Sequence, residues 1–450
     1  MRTRKLMRDT ALLTASSLVM RLIGLIFQMW LVRRIGAVGV GLYGLVGSVS
    51  FLAATFAISG IRFASTRLIS EEVGLGREGG IGGAMRLCLS YSLLFGFAAC
   101  AILFLCAEPI GFLWVGDART VMSLKILSLS LPFISLSSVM YGYFSACGRI
   151  FKAAGVQLAE QLIRIAFVVV FLDLAPENDM ERSCAAVAAG GTAAEICSFL
   201  LMLLAFVFDR QKHRKEPECS PRLPGRMLGI ALPLALSAYA RTSLSTLEQL
   251  LVPRGLKKAG FSANGALAGY GTIQGMVLPI ILFPSCVITA LAELIVPELT
   301  AAQVSNKKEE ISRVVSKLIM RSLAFSTFIA AMLFLLSDFL GGAIYKSEEA
   351  GGYIRLFSLL VPIIYMDMVT DGCLKGLGQK VWSMGFNIMD AFLGVLLVYL
   401  LLPRFALEGY IAILFFEEIF NFSLSIWRLS RVTNLRLHIR RGREKSGETA

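Results

Sequence analysis

The stretch ALLTASSLVMRLIGLIFQMWLVRR, from Ala11 to Arg34, is apolar for long enough to cross a bilayer, yet it carries Arg21 near its middle. A hydrocarbon core of about 30 Å takes roughly 20 helical residues, and an arginine at the centre of such a helix costs roughly 2.5–3.5 kcal/mol even on lenient insertion scales. The side chain must therefore face protein or water. The same arrangement recurs 220 residues on, where ALPLALSAYARTSLSTLEQLLVPR begins at Ala231. Without a gap, Arg21 falls on Arg241, Gln28 on Glu248 and Arg34 on Arg254, while Ala11, Leu12, Ala15, Ser17, Leu31 and Val32 meet identical residues. Two halves are expected, each opening with a charged span.

The rest of the chain fits a membrane protein. Hydrophobic residues make up 56% of it and charged ones only 17%, a balance far from that of soluble domains. The opening MRTRKLMR resembles the basic start of a signal peptide, but the apolar run behind it is too long and no small-residue cleavage site follows. A retained first span is expected. The net charge of +13 collects in loops and the tail, where anionic lipid explains it without nucleic acid. Nine cysteines show no metal-ligand spacing, and His213 and His438 both lie in basic polar stretches, so neither a metal site nor a histidine relay is expected. No P-loop, HExxH or nucleophile elbow appears. The expectation is a protein that is not an enzyme and holds no cofactor.

Hydropathy gives about twelve spans, six on either side of the Pro- and charge-rich segment DRQKHRKEPECSPRLPGR. The expected organisation is a six-helix lobe over residues 1–208, a basic cytoplasmic linker at 209–226, a second six-helix lobe at 227–428 and a basic cytoplasmic tail at 429–450. An even number of spans per lobe leaves both in one orientation, so the fold class is an all-α polytopic bundle with a parallel pseudo-two-fold repeat and a central cavity. Leu42-Tyr43-Gly44 resembles Gly269-Tyr270-Gly271, and Pro132, Gly142 and Gly148 align with Pro362, Gly372 and Gly378 at an offset of 230. Lys and Arg gather on one side, which places both termini in the cytoplasm. The exception is Arg33 and Arg34 in one half and Arg254, Lys257 and Lys258 in the other, which lie on the opposite side against the rule.

Charges within apolar segments are the candidate functional groups. Arg21 and Arg241 either hold the bundle together through acids on neighbouring helices or line a shared cavity, and their equivalent placement favours the cavity. Arg241 and Glu248 stand two helical turns apart and can face one way, so Glu248 could neutralise a cationic site or bind a coupling cation. Glu160 and Arg164, spaced i, i+4, suit a structural ion pair. Asp367, Asp371 and Lys375 make a polar stripe at successive spacings of four: the two carboxylates suit sodium or a proton, or else Asp371 pairs with Lys375 while Asp367 faces water. Asp390 is a lone acid with the same two readings. Arg62 either anchors the basic side or lines a cavity mouth.

RLIGLIFQMWLVRRIGAVGVGLYGL from Arg21, SGIRFASTRLISEE from Ser59 and QLAEQLIRI from Gln157 resemble characteristic stretches of the stage V sporulation protein B and polysaccharide-export group. That group lies in the multidrug/oligosaccharidyl-lipid/polysaccharide (MOP) flippase superfamily, with the lipid II flippases and the multidrug and toxin extrusion (MATE) transporters. The resemblance implies a two-lobed, MATE-like bundle that alternates between inward- and outward-open states. It also implies a flippase moving a polyprenyl-pyrophosphate-linked sugar precursor for cell wall, polysaccharide or spore envelope. Arg21, Arg241, Arg62, Glu248 and Gln28 would then bind substrate, and Asp367 and Asp371 would couple Na+ or H+. Partners would be the lipid-linked sugar, membrane lipids and envelope-synthesis enzymes. Two departures stand out: relatives commonly have fourteen spans against about twelve here, and commonly carry proline where this chain has Arg62. The competing expectations are a cation-coupled drug exporter of the MATE type, and a scaffold for envelope assembly that transports nothing.

Overall fold

The computed structural model describes residues 2–75, 78–176, 179–211, 223–304 and 308–433. Most of the expected linker and tail lies outside them. The described residues form helices α1 (Arg2–Ile58), α2 (Ile61–Gly74), α3 (Glu78–Leu105), α4 (Val121–Ser128), α5 (Leu131–Ala146), α6 (Ile150–Leu174), α7 (Met180–Gln211), α8 (Leu223–Lys258), α9 (Ala263–Gly271), α10 (Leu278–Leu282), α11 (Ser285–Val304), α12 (Lys308–Phe339), α13 (Glu348–Ser358), α14 (Val361–Gly376) and α15 (Lys380–Thr433). Among them eight helical segments are long and apolar enough to cross a membrane, and ten when the bent pairs α4–α5 and α13–α14 each count as one span. The protein is therefore a multi-pass membrane protein.

Two helices are far too long to be single spans. At about 1.5 Å per residue, the 57 residues of α1 would reach more than twice a bilayer's thickness. α1 breaks at Gly36 (φ 69°) and α15 at Ala406 (φ 51°), each a left-handed residue that divides the helix into two arms.

The repeat is written into the backbone. α4 and α5 meet at 44° just before Pro132, and α13 and α14 at 54° just before Pro362. Proline cannot donate to the preceding turn, so the helix yields there. A π-turn at Ile110–Val115 has its counterpart at Leu340–Tyr345. Each ends on a left-handed residue, Gly116 or Lys346, followed by an extended cap, Asp117 or Ser347, whose side chain accepts a backbone N–H. Gly148 (φ 66°) and Gly378 (φ 70°) then make the matching turns into α6 and α15. All these pairs are 230 residues apart.

The chain divides into two compact units, one spanning Ala11–Gly271 and the other made of Met1–Thr10 and the chain from Thr272 onward. In the first, Ile61, Leu68, Met85, Val139, Phe144, Met202, Met227 and Ala231 form a continuous core that ties α2, α3, α5 and α7 to the start of α8. At α9 the backbones nearly touch: a Cβ on Gly41 would lie 2.2 Å from the Leu267 carbonyl oxygen, and one on Gly271 2.1 Å from that of Ala37. Gly41 and Gly271, the latter the glycine of the second Tyr-Gly segment, are thus where the second arm of α1 crosses α9. In the second unit buried tyrosines brace broken helices: the Tyr365 hydroxyl donates to the Ile281 carbonyl at 2.8 Å, and Tyr345 to Met276 at 3.2 Å.

Charges close both ends of the first unit. At one end buried Asp209 accepts from Tyr143 at 3.0 Å and from Arg149 and Lys152, while Glu71 takes Arg67 and Arg226. At the other, Arg254 donates to the Leu113 carbonyl, Lys257 to that of Gly116 at 3.2 Å, and Arg34 pairs with Asp173 at 3.2 Å. The out-of-place positive charges are thus largely spoken for, two of them by carbonyls at the end of the π-turn, where a cation is favoured. Beside them Arg119 reaches both Asp117 and Asn264.

Gly60 is left-handed (φ 70°), and a Cβ there would lie 2.4 Å from the Ala231 carbonyl oxygen. Gly60→Ala should cost at least about 2 kcal/mol, from the left-handed backbone and the clash together, whereas Gly74→Ala, which meets nothing within 4 Å, should leave the melting temperature in detergent within a degree or two of the parent. Asp117, in its turn outside the spans, is pushed up by burial, but hydrogen bonds from Arg119 and the charges of Arg119 and Lys257 outweigh this and hold it below the usual carboxylate range. A depressed carboxyl stabilises the fold above its unfolded value of about 3.9 and loses that contribution as pH falls through the folded value. Asp117→Asn should therefore lower the melting temperature at pH 7 and approach the parent below about pH 4; a pH-independent difference would show that the ion pair stabilises nothing.

Candidate functional site

The first unit holds three arginines whose charge no acid cancels among the described residues, Arg62 and Arg241 beside one junction and Arg21 on the arm of α1 that faces α6. The break at Ser59–Gly60 is tied down by a hydrogen-bond chain: Tyr239 on α8 donates to Ser59 Oγ at 2.7 Å, which shares a 2.8 Å bond with the Tyr91 hydroxyl. Arg62 follows within one turn. Its guanidinium lies over Tyr141, 3.6 Å from the ring centroid, so the ring supports it as a cation–π partner that leaves its charge uncancelled.

On α8 the spacing of Tyr239, Thr242 and Thr246 defines the face that meets α1. Thr242 and Thr246 are buried, and Thr246 donates to the Ser48 carbonyl at 3.2 Å. Arg241 and Glu248, two turns apart, flank that face, the arginine exposed and the glutamate half-buried. Arg62 and Arg241 thus sit within three residues of one hydrogen-bonded junction. Arg21 belongs to the first arm of α1, where a Cβ on Gly24 would lie 3.6 Å from Gln161 Nε2 of α6. Arg21, Gly24 and Gln28 are spaced i, i+3, i+7, so the arginine and glutamine share the face turned to α6. Arg21 is exposed and Gln28 half-buried. Among the described residues no hydrogen bond or ion pair engages Arg21 or Arg241.

Glu160 and Arg164 do pair, at 2.7 Å, and they have company that the sequence reading left out. Arg164 also reaches Glu195 of α7 at 2.7 Å, and Ser198 donates to the second oxygen of Glu160 at 2.9 Å. One guanidinium bridging two carboxyl groups from different helices fixes α6 to α7. The signal for Glu195 was its position, a lone acid in a run of small residues on a span. A small-residue run lets helices approach, and an acid there needs a cation from the neighbour.

The stripe on α14 splits in two. Asp371 accepts from both Lys375 and Ser383, so it is engaged as a structural pair. Asp367 turns inward, accepting from Asn421 Nδ2 at 3.4 Å and leaving Oδ1 buried without a partner. The two arms of α15 supply Asp390, whose Oδ1 is likewise buried and unmatched, and Glu418; the charges of Asp367, Asp390 and Glu418 act on one another. Among the described residues no three His, Cys, Asp or Glu side chains stand close enough to hold a metal ion together.

This arrangement has relatives. The family described as "Polysaccharide biosynthesis protein" matches residues 6–286, and the family described as "MatE" matches residues 260–400. The stage V sporulation protein B of Bacillus subtilis (strain 168) is 23% identical over 407 residues, covering 88% of this chain and 78% of the relative. An inward-facing MATE family transporter of the MOP superfamily superposes with a TM-score of 0.73 at 14% identity, covering 92% of this chain and 95% of the other. The lipid II flippase MurJ in an inward closed conformation gives 0.71 at 12% identity, covering 94% and 89%. The first of these matches takes in well over half of the chain, which is therefore a member of the polysaccharide biosynthesis protein family.

Proposed function

We propose that this protein is a flippase that carries a polyprenyl-(pyro)phosphate-linked sugar precursor across the cytoplasmic membrane by alternating access. The observation that carries this reading is the set Arg21, Arg62 and Arg241, placed on membrane-crossing segments or at their break with no acid against any of them among the described residues. Hydrocarbon penalises such charge, and a phosphorylated head group crossing the membrane is the ligand that offsets it. Arginine makes forked, charge-assisted hydrogen bonds to phosphate, while Gln28 and Glu248 offer polar contacts for sugar hydroxyls. The relatives named for polysaccharide biosynthesis and lipid II agree with that cargo.

On this reading the two breaks in α1 and α15 each separate two spans, which raises ten spans to twelve. Residues 1–208 and 227–428 are then the two six-span lobes. Both termini face the cytoplasm, because Arg67, Arg149, Lys152 and Arg226 gather at the end from which α1 starts. Asp367 couples the cycle to H+ or Na+, with Asp390 and Glu418 beside it rather than Asp371, which Lys375 occupies. That acid group also gives the exporter reading its one specific support, since buried carboxylates attract cationic drugs.

Reconstitution with a fluorescent polyprenyl-pyrophosphate-linked sugar separates these readings. Arg21→Ala and Arg241→Ala should each slow translocation at least roughly ten-fold, one lost charged hydrogen bond's worth, with the lysine variants between parent and alanine. Unchanged flipping in both alanine variants would refute the cargo assignment. Asp367→Asn should abolish the response to an imposed pH or sodium gradient while leaving glycolipid binding intact; if the gradient response survives, the coupling site lies elsewhere.

A further inference from the structure

α15 folds back at Ala406, so its beginning and its end lie side by side at one end of the hairpin. There Arg428, on the second arm, stacks on Trp382 of the first, 4.3 Å from the ring centroid, and Arg431 stacks on Trp427 at 4.3 Å. Arg428 is steered by a neutral acceptor: its Nε and one terminal nitrogen both donate to Gln379 Oε1, at 3.2 and 2.7 Å. Trp382 and Trp427 remain 45% and 43% exposed, and Lys380 and Arg431 are exposed beside them. Among the described residues no carboxylate pairs with Lys380, Arg428 or Arg431. The nearby Lys375 differs, because Asp371 takes it.

We propose that this cluster is a binding site for the head group of an anionic glycerophospholipid at the membrane surface. An indole with an apolar body and one N–H settles at head-group depth. A guanidinium held over it keeps N–H groups for a ligand: Gln379 takes Nε and one terminal nitrogen of Arg428, leaving its other terminal N–H groups, while the forked edge of Arg431, which meets no protein acceptor among the described residues, can take a phosphodiester in a pair of bonds. Arg428 and Arg431 are three residues apart and share a helix face, so one head group can meet both. Gln379 holds Arg428 in place without cancelling its charge, as a carboxylate would. Sequence beyond Thr433 adds Arg436, Arg440, Arg441 and Arg443, which favour the same charge of surface. The site lies outside the arginine set assigned to cargo and does not depend on that assignment.

The four tryptophans make a direct test. Trp30→Phe and Trp114→Phe together leave Trp382 and Trp427 as the emitters. In mixed micelles of the purified full chain, brominated phosphatidylglycerol should quench them at several-fold lower mole fraction than brominated phosphatidylcholine. Arg428→Gln with Arg431→Gln should erase that preference, a change of roughly five-fold or more for two interfacial cations, and the double lysine variant should fall between. Should the double glutamine variant not elute as the parent does, Arg431→Gln alone serves, since Arg431 makes no hydrogen bond to the protein through its side chain among the described residues. Equal quenching by both lipids, or a preference that survives loss of the arginines, would reduce the cluster to an ordinary aromatic belt. Lysine variants equal to the parent would overturn the forked contact. Displacement of the brominated lipid by an isoprenyl diphosphate but not by unbrominated phosphatidylglycerol would assign the site to the transported lipid instead.

Discussion

A charge inside a membrane has to be answered by something, and the ways in which this chain answers its charges organise the molecule. Where a carboxylate stands opposite, the charge becomes a brace. Arg164 with Glu160 and Glu195 joins α6 to α7, and Asp371 with Lys375 and Ser383 secures the end of α14 against α15. Where none stands opposite, the cost of several kcal/mol remains unless water, an ion or a ligand supplies the missing partner. Arg21 and Arg241 are in that second class among the described residues, and so are the buried oxygens of Asp367 and Asp390. Braced and unmatched charges are thus separated by their partners rather than by residue type.

Backbone groups obey the same constraint. Each break in a span frees N–H and C=O groups that lipid cannot satisfy, and at the Ser59–Gly60 break protein covers them. Ser59 and Gly60 interrupt the run from α1 to α2 where α8 lies against them, with Tyr239 and Tyr91 bonding the Ser59 hydroxyl. The kinks before Pro132 and Pro362 fall at equivalent points of the two halves, and so do the π-turns and left-handed turns. Irregularities copied at a constant offset are features of the duplicated unit, since strain of no use would drift apart in two copies under separate change.

The membrane class, the repeat and the pairing of Glu160 with Arg164 were legible from the sequence because each rests on a period: span length, a fixed offset, a helical i, i+4 spacing. Pro132 and Pro362 were legible only as matching positions of the repeat; the kinks before them came with the structure. Glu195 and the indole stacks were not, because α7 meets α6, and the two arms of α15 meet each other, only through tertiary packing. The stripe on α14 shows the limit well. Helical spacing put Asp367, Asp371 and Lys375 on one face and left two readings open. The lysine reaches the nearer acid, while Asp367 turns to Asn421, a neighbour 54 residues away that no local pattern could supply. The misplaced positive charges near Arg34 and Arg254 were visible as an anomaly, but their explanation needed the carbonyls of Leu113 and Gly116 and the carboxylate of Asp173.

On the proposed reading, the candidate cargo residues Arg21, Arg62 and Arg241 in the first unit and the acid group Asp367, Asp390 and Glu418 in the second differ in sign, and that asymmetry bears on mechanism. The arginines of the first unit suit an anionic head, while Asp367, Asp390 and Glu418 in the second suit a cation or proton. A ligand shifts a conformational equilibrium only by its difference in affinity between the states, and coupling between two ligands is reciprocal. Sites of opposite sign take different ligands, so a cation that favours one arrangement of the acid group can alter the affinity of the arginines for phosphate, and the cargo must alter cation affinity by the same factor. On the proposed reading, the broken helices are the elements able to carry that exchange. α15 holds two of the acids on either side of its own break, so any change in the angle between its arms alters the distance between Asp390 and Glu418 and with it the cost of leaving both charged.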